Sequence, residues 1–189
     1  MQNVMKIMGI DPSLRNFGLA LAHVDLDTMN VDVSVIKLVE TEKGKLKNVR
    51  KSSDDLSRAR LLHRALKTWQ GVADMAVAEV PTGTQSASGA ISNGICIGIL
   101  ASIEIPLIEV SPTEVKMATV GIKTATKSEM IEWAMKKHPK AQWLTRKLKG
   151  ETVPMNDCEH LADAIAAIYA GLQTEQFKQA RAFTLKRAA

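Results

Sequence analysis

The stretch VMKIMGIDPSLRNFGLALAHVD, residues 4–25, limits the fold more than any other. An apolar run reaches Ile10, meets Asp11, turns through Pro12 to Gly18 and becomes apolar again. Two apolar runs joined by so short a connection read as antiparallel strands. The first is apolar enough to be buried, so Asp11 stands at the tip of a buried strand. Burying a bare carboxylate is costly unless a cation or hydrogen-bond donors meet it.

Residues 4–10, 18–25 and 31–39 read as three strands of a meander, and 41–53 as a polar, basic loop with Lys43, Lys45, Lys47, Arg50 and Lys51 against Glu42. From Asp54 to about Gly71, Leu56, Ala59, Leu62, Leu66 and Trp69 recur at helical spacing, with Ser52 or Ser53 as cap. Residues 75–80 form a fourth strand and 105–110 a fifth. Between them, 86–103 read as a helix whose Gly89, Gly94 and Gly98 allow close packing. Ser111, Pro112 and Glu114 make a strong helix start. A further helix covers 126–137, a basic loop follows, and NDCEHLADAIAAIYAGL makes the last amphipathic helix. An antiparallel front leading into βαβ units implies an α/β fold: a mixed five-stranded sheet with helices on both faces.

The 189 residues suit one domain, residues 1–172, followed by a basic tail at 173–189. Aromatic residues make up only 4%, so the core rests on aliphatic side chains and nine Met. The net charge of +5 favours a polyanionic partner, weakly. Cys96 and Cys158 are too few for a disulfide framework and lack zinc-site spacing, which points to a reducing compartment. No signal peptide or membrane helix is expected, consistent with the cytoplasm.

Glu79 closes the fourth strand as Asp11 closes the first. If those strands are parallel neighbours, the two acids converge. On the last helix Asp157, His160 and Asp163 are spaced by three and share a face, with Glu159 four before Asp163. Acids gathered from separate elements repel unless something positive lies between them, and carboxylates suit Mg²⁺ or Mn²⁺. Each residue also has a plainer reading. Asp11 suits a turn, Asp157 or Asn156 a helix N-cap, and His160 and Asp163 a helix surface. Spacing alone leaves these open.

The motifs MGIDPSLRNFG, VAEVPTG, LIEVSPTEVKMATVG, TKSEMIEWAM and HLADAIAAIYA occur in the order found in the RuvC family of Holliday-junction resolvases. The chain resembles that family over about residues 5–172, or a divergent, phage-type branch of it. The resemblance implies a ribonuclease-H-like fold and a homodimer that nicks four-way DNA junctions symmetrically. It implies two Mg²⁺ or Mn²⁺ ions per active site and 5′-phosphate products. By position, Asp11, Glu79 and Asp163 resemble the family's catalytic and metal-binding acids, and His160 stands where many members have Asp. Lys116 and Lys127 match basic residues near the scissile phosphate. Many members carry an aromatic just after the fourth-strand Glu; Val80, Pro81 and Thr82 stand here, a departure from that pattern that removes the residue for base wedging.

The run KKHPKAQWLTRKLK, residues 136–149, has six cations and no acid, and leads into the helix of His160. Lys147 and Lys149 are therefore candidate phosphate contacts, together with Lys116 and Lys127. The helix at 86–103 is the candidate dimer interface. Two other functions fit the same residues: a ribonuclease-H-like nuclease for other branched DNA or RNA–DNA hybrids, and a non-catalytic DNA-binding scaffold. A kinase-like nucleotide-binding fold begins similarly but needs a second lobe, for which this chain is too short.

Overall fold

The computed structural model describes residues 3–44 and 49–188. Three strands come first, β1 (Val4–Asp11), β2 (Asn16–Asp25) and β3 (Val31–Glu40). Helix α1 (Lys51–Gln70), β4 (Met75–Glu79), α2 (Ala87–Leu100), β5 (Leu107–Val110), α3 (Pro112–Thr119) and α4 (Lys127–Lys137) follow. The chain ends with β6 (Thr145–Leu148), β7 (Glu151–Pro154), α5 (Cys158–Gln173) and α6 (Glu175–Ala188). The main sheet has the order β3-β2-β1-β4-β5. β2 pairs antiparallel with β1 and β3, while β4 pairs parallel with β1 and β5. This is the mixed five-stranded sheet expected from the sequence.

The continuous apolarity of β1 follows from cover on both faces. Ile7 joins Ala20, Ala22, Val24 and Val77 in a core under α5. Met8 and Ile10 turn the other way, to Leu19, Leu62, Leu66, Cys96 and Ile99, a core shared with α1 and α2. Helix α5 is buried almost all round, through Leu161, Ala162 and the run Ala164–Ile168. A helix apolar on every side belongs between layers, and α3, α4 and α6 pack against α5 away from the sheet. Gly9 and Gly171 set how close it lies. A Cβ at Gly9 would stand 2.0 Å from the Ala164 carbonyl oxygen, and one at Gly171 2.5 Å from Val77.

The structure differs from the local expectations at the start of α1, at the ends of α2 and β5, and in the basic loop after α4. Helix α1 begins at Lys51 rather than Asp54, and Arg50 occupies its N-cap without a side-chain hydrogen bond, so neither Ser52 nor Ser53 caps it. The helix at 86–103 spans only Ala87–Leu100, and the strand at 105–110 only Leu107–Val110. The basic loop after α4 contains a strand: β6 pairs with β7 in a separate two-stranded ribbon. Its turn holds Lys149 at φ 49° and Gly150 at φ 89°, the left-handed pair that a two-residue hairpin requires. The segment after residue 172 is a helix whose Phe177 is fully buried in the α5 core. Lys45 and Lys47 lie outside the described residues.

The capping box expected at Ser111 is present, and the structure shows a second one at Thr126. Ser111 exchanges hydrogen bonds with Glu114 at the start of α3, and Thr126 with Glu129 at the start of α4. They fix where each helix begins, and therefore where Lys116 and Lys127 stand.

Candidate active site

Strand register places the acids. Ile7 to Ile10 pair with Met75 to Ala78, so one further step sets Asp11 level with Glu79. Level residues on neighbouring strands point to the same face, one strand spacing of about 4.8 Å apart. Alternation along each strand makes that face the one under α5. Gly9 precedes Asp11 by two and meets Ala164; Val77 precedes Glu79 by two and meets Gly171.

On the other side of β1, Asp11 is paired with Gly18 of β2. A Cβ at Gly18 would fall 2.1 Å from the His160 carbonyl oxygen. The missing side chain therefore lets the first turn of α5 rest on β2, beside Asp11. From there His160 Nδ1 lies 2.7 Å from Asp11 Oδ2. The two side chains are only 17% and 16% exposed. The other ring nitrogen, Nε2, stands 3.3 Å from Asn16 Nδ2 and 3.5 Å from Glu159 Oε1. When Asn16 donates to Nε2, the ring carries its proton on Nδ1 and donates it to Asp11. When the ring is doubly protonated, Nε2 faces Glu159 instead.

The turn after Asp11 is tied down independently. Arg58, buried on α1, donates through Nε to Thr41 Oγ1 at 2.8 Å and through its guanidinium to the Leu14 carbonyl at 3.3 Å. Thr41 Oγ1 also donates to that carbonyl. A buried cation thus holds the β1–β2 connection against the edge of the sheet.

Asp163 lies one turn beyond His160. Its carboxyl is pushed up to about 7 by burial first, then by the charges of Asp11 and Glu79, with His160 opposing. Glu79 is likewise pushed up to about 7 by burial and by Asp11, with Lys116 opposing. The mutual influence of Asp11, Glu79 and Asp163 puts three carboxyls from β1, β4 and α5 in one neighbourhood. For His160, burial disfavours the charged ring, but the hydrogen bond and charge of Asp11 outweigh it and hold the pKa above the usual histidine value. Two cations flank the group. Glu79 pairs with Val110, α3 starts two residues later, and Lys116 on that helix acts on Glu79. Lys127, the first residue of α4, bonds Glu159 at 2.9 Å while its side chain remains 78% exposed.

Asp11, Glu79, His160 and Asp163 are therefore brought together, with Lys116 and Lys127 at the margin. Lys147 and Lys149 stand apart on the ribbon. Asp157 occupies the N-cap position of α5 but makes no capping bond; its carboxylate lies 3.4 Å from Asn16 Nδ2. Sequence reasoning missed Asn16, although it sits inside the quoted SLRNFG motif. It also missed Gly18 and Arg58. Only the strand pairing and the far end of the chain reveal what those three meet.

The chemistry of the donors fits a hard divalent cation. Neither Glu79 nor Asp163 has a hydrogen-bond or ion-pair partner among the described residues, and added positive charge would relieve their repulsion. Among the described residues, however, no three His, Cys, Asp or Glu side chains already form a cage for one ion. The Asp11 carboxylate is engaged by His160, so the donors are gathered but not closed.

No protein-family model matches the chain. It is 27% identical over 169 residues to the crossover junction endodeoxyribonuclease RuvC of Prochlorococcus marinus, covering 89% of this chain and 98% of that protein. It is 27% identical over 139 residues to the RuvC of a Synechococcus species, covering 70% and 83%. Among solved structures, Thermus thermophilus RuvC in complex with a Holliday junction substrate aligns with a TM-score of 0.63 at 21% identity, covering 95% of this chain and 97% of that one. The fowlpox virus resolvase in complex with Holliday junction DNA aligns with a TM-score of 0.53 at 14% identity, covering 93% and 99%. The fold is thus shared with Thermus thermophilus RuvC and the fowlpox virus resolvase, and the sequence is similar to curated RuvC proteins across most of the chain.

Proposed function

We propose that this chain is a metal-dependent endonuclease that nicks four-way DNA junctions as a homodimer. The observation that carries the reading is the gathering of Asp11, Glu79, His160 and Asp163 at one sheet edge, in a chain similar to RuvC over nine-tenths of its length. Asp11, Glu79, Asp163 and His160 would hold two Mg²⁺ or Mn²⁺ ions. Bound there, the ions supply Lewis-acid charge and make water acidic enough to attack a phosphodiester near neutral pH.

The protein's own groups do the rest. Glu79 and Asp163, whose pKa values burial and repulsion push up to about 7, would offer their carboxylates to such ions. His160, oriented between Asp11 and Asn16, steadies the attacking water or passes on its proton. Lys116 and Lys127 offset charge on the phosphate as it is attacked. Lys127 leaves Glu159 to do so, which its exposure permits. Lys147 and Lys149 meet phosphates away from the scissile bond.

Resolution of a junction requires two nicks related by a dyad, hence two copies. The exposed face of α2 suits the contact. Ile91 and Ile97 are 48% and 45% exposed, and a Cβ at Gly94 or Gly98 would meet nothing within 4 Å. Among the described residues no helix is long and apolar enough to cross a membrane, and the DNA of the cytosol is the substrate this reading requires.

The test compares cleavage of synthetic four-way junctions with that of flaps, forks and RNA–DNA hybrids in Mg²⁺ and in Mn²⁺. Paired 5′-phosphate nicks on the junction, outpacing all other substrates, are expected. Equal rates on every substrate would assign a general nuclease of this fold. Unchanged activity in the cell with Asp11→Asn would assign a DNA-binding scaffold.

A further inference from the structure

The β6–β7 ribbon belongs to neither core. It pairs with no strand of the main sheet, and every residue from Thr145 to Pro154 except Val153 is exposed. A two-stranded ribbon with no apolar cover is marginal by itself, yet this one is firmly rooted. Its foot is closed by the Met155 amide donating to the Leu144 carbonyl at 2.9 Å, and by the Cys158 thiol donating to the same oxygen at 3.0 Å. Two residues beyond Met155 stands Asp157, which touches Asn16, which touches His160. The root is therefore joined to the acid cluster.

Charge on the ribbon is one-sided. Arg146, Lys147 and Lys149 face a single acid, Glu151, and among the described residues none of the three forms an ion pair. Lys147 donates only to Thr152 Oγ1 across the ribbon, at 2.9 Å. Just before it, Lys136, Lys137 and Lys140 are exposed, and among the described residues they too lack ion pairs. A ribbon retained only for structure would have neutralised some of this charge on nearby carboxylates. One left basic along an exposed strand fits a polyanion that comes from outside.

Length decides which part of the polyanion. Four residues per strand extend about 13 Å from the foot, or roughly four base pairs of duplex at about 3.4 Å each. We propose that the β6–β7 ribbon is a clamp on the sugar–phosphate backbone of a duplex arm, a few base pairs from the branch, and that it sets a minimum arm length for binding. This rests on the proposed junction-binding function and adds a second contact to it.

The test measures junction binding without metal, in the Asp11→Asn background, on arms of about 5 and about 15 base pairs over a range of salt. The unmodified ribbon should bind the long-armed junction about tenfold more tightly. Arg146→Gln/Lys147→Gln/Lys149→Gln should bind both alike, with a salt dependence shallower by about 2 to 3 on the long arms. Lys147→Arg/Lys149→Arg, which keeps the charge, should behave as the parent. Unchanged thermal melting of the triple variant ties the loss to contact rather than folding. If the triple variant keeps both the arm preference and the salt slope, or if the parent has no arm preference, the clamp is wrong while the function stands. Failure of the parent to bind any junction would remove both.

Discussion

The acid cluster and the basic ribbon are opposite uses of charge in one chain. Asp11, Glu79 and Asp163 are half-buried where α5 meets the sheet, and lost hydration and repulsion raise two of them to about 7. Arg146, Lys147 and Lys149 are exposed on a two-stranded ribbon with no core behind it. Buried like charges store repulsion that a bound cation releases, so their replacement alters stability and chemistry together. Exposed charges store little, and their replacement alters only what approaches from solvent.

The sharpest break of that comparison is Asp11→Asn or Glu79→Gln. Either should reduce junction cleavage by about 10²–10³-fold or more, while gel-shift binding of the junction persists. Substantial cutting by both variants would show that the cluster is not the reaction centre.

Next in size is the pH dependence of stability. Glu79 and Asp163 have folded pKa values of about 7, against ordinary values of 4.5 and 3.8. Between those limits the folded protein binds more protons than the unfolded chain. Their favourable contribution is thus complete at low pH and lost as pH rises through 7. Each unit is worth about 1.4 kcal/mol. The metal-free protein should lose about 3 kcal/mol for Glu79 alone or about 4 kcal/mol for Asp163 alone between pH 4 and 8, and less than their sum for the coupled pair. Mg²⁺ or Mn²⁺ should restore melting temperature at pH 8 far more than at pH 5. A melting curve indifferent to both metal and pH would contradict the stored repulsion.

A smaller effect is expected at Gly18. Gly18→Ala drives a methyl into the His160 carbonyl, which must retreat with α5. A loss of about 1–3 kcal/mol in denaturant unfolding should accompany weaker cleavage. The smallest effect belongs to the ribbon. Lys147→Ala should leave unfolding within about 0.5 kcal/mol of the parent and weaken junction binding severalfold at most, an effect that fades at high salt.

What was legible in the sequence follows the same division. Acids at the ends of apolar runs stand out because burial makes them expensive. That brought Asp11 and Glu79 forward; helix spacing added His160 and Asp163, and the resemblance to the RuvC family singled out all four. Lysines carry no comparable signal, since a solvated Lys looks the same whether or not it meets DNA. The ribbon escaped because β6 is short and wholly exposed, so neither alternation nor burial marks it. Its turn was marked only by Lys149-Gly150, inside a run that looked uniformly basic. The first turn of α1 escaped for a related reason: it starts at Lys51 without a side-chain cap.

The sequence by itself determined the five strands of the main sheet, their mixed pairing and the capped start of α3, because apolar period and capping chemistry act between residues a few positions apart. Only the tertiary structure decided that His160 would meet Asp11 across 149 positions, that Asn16 would orient it, and that Gly18 would admit α5 close enough for the contact. Those outcomes depend on strand register and on the distance between a helix and a sheet. Neither quantity is carried by any local stretch, because each is set by the packing of all layers at once.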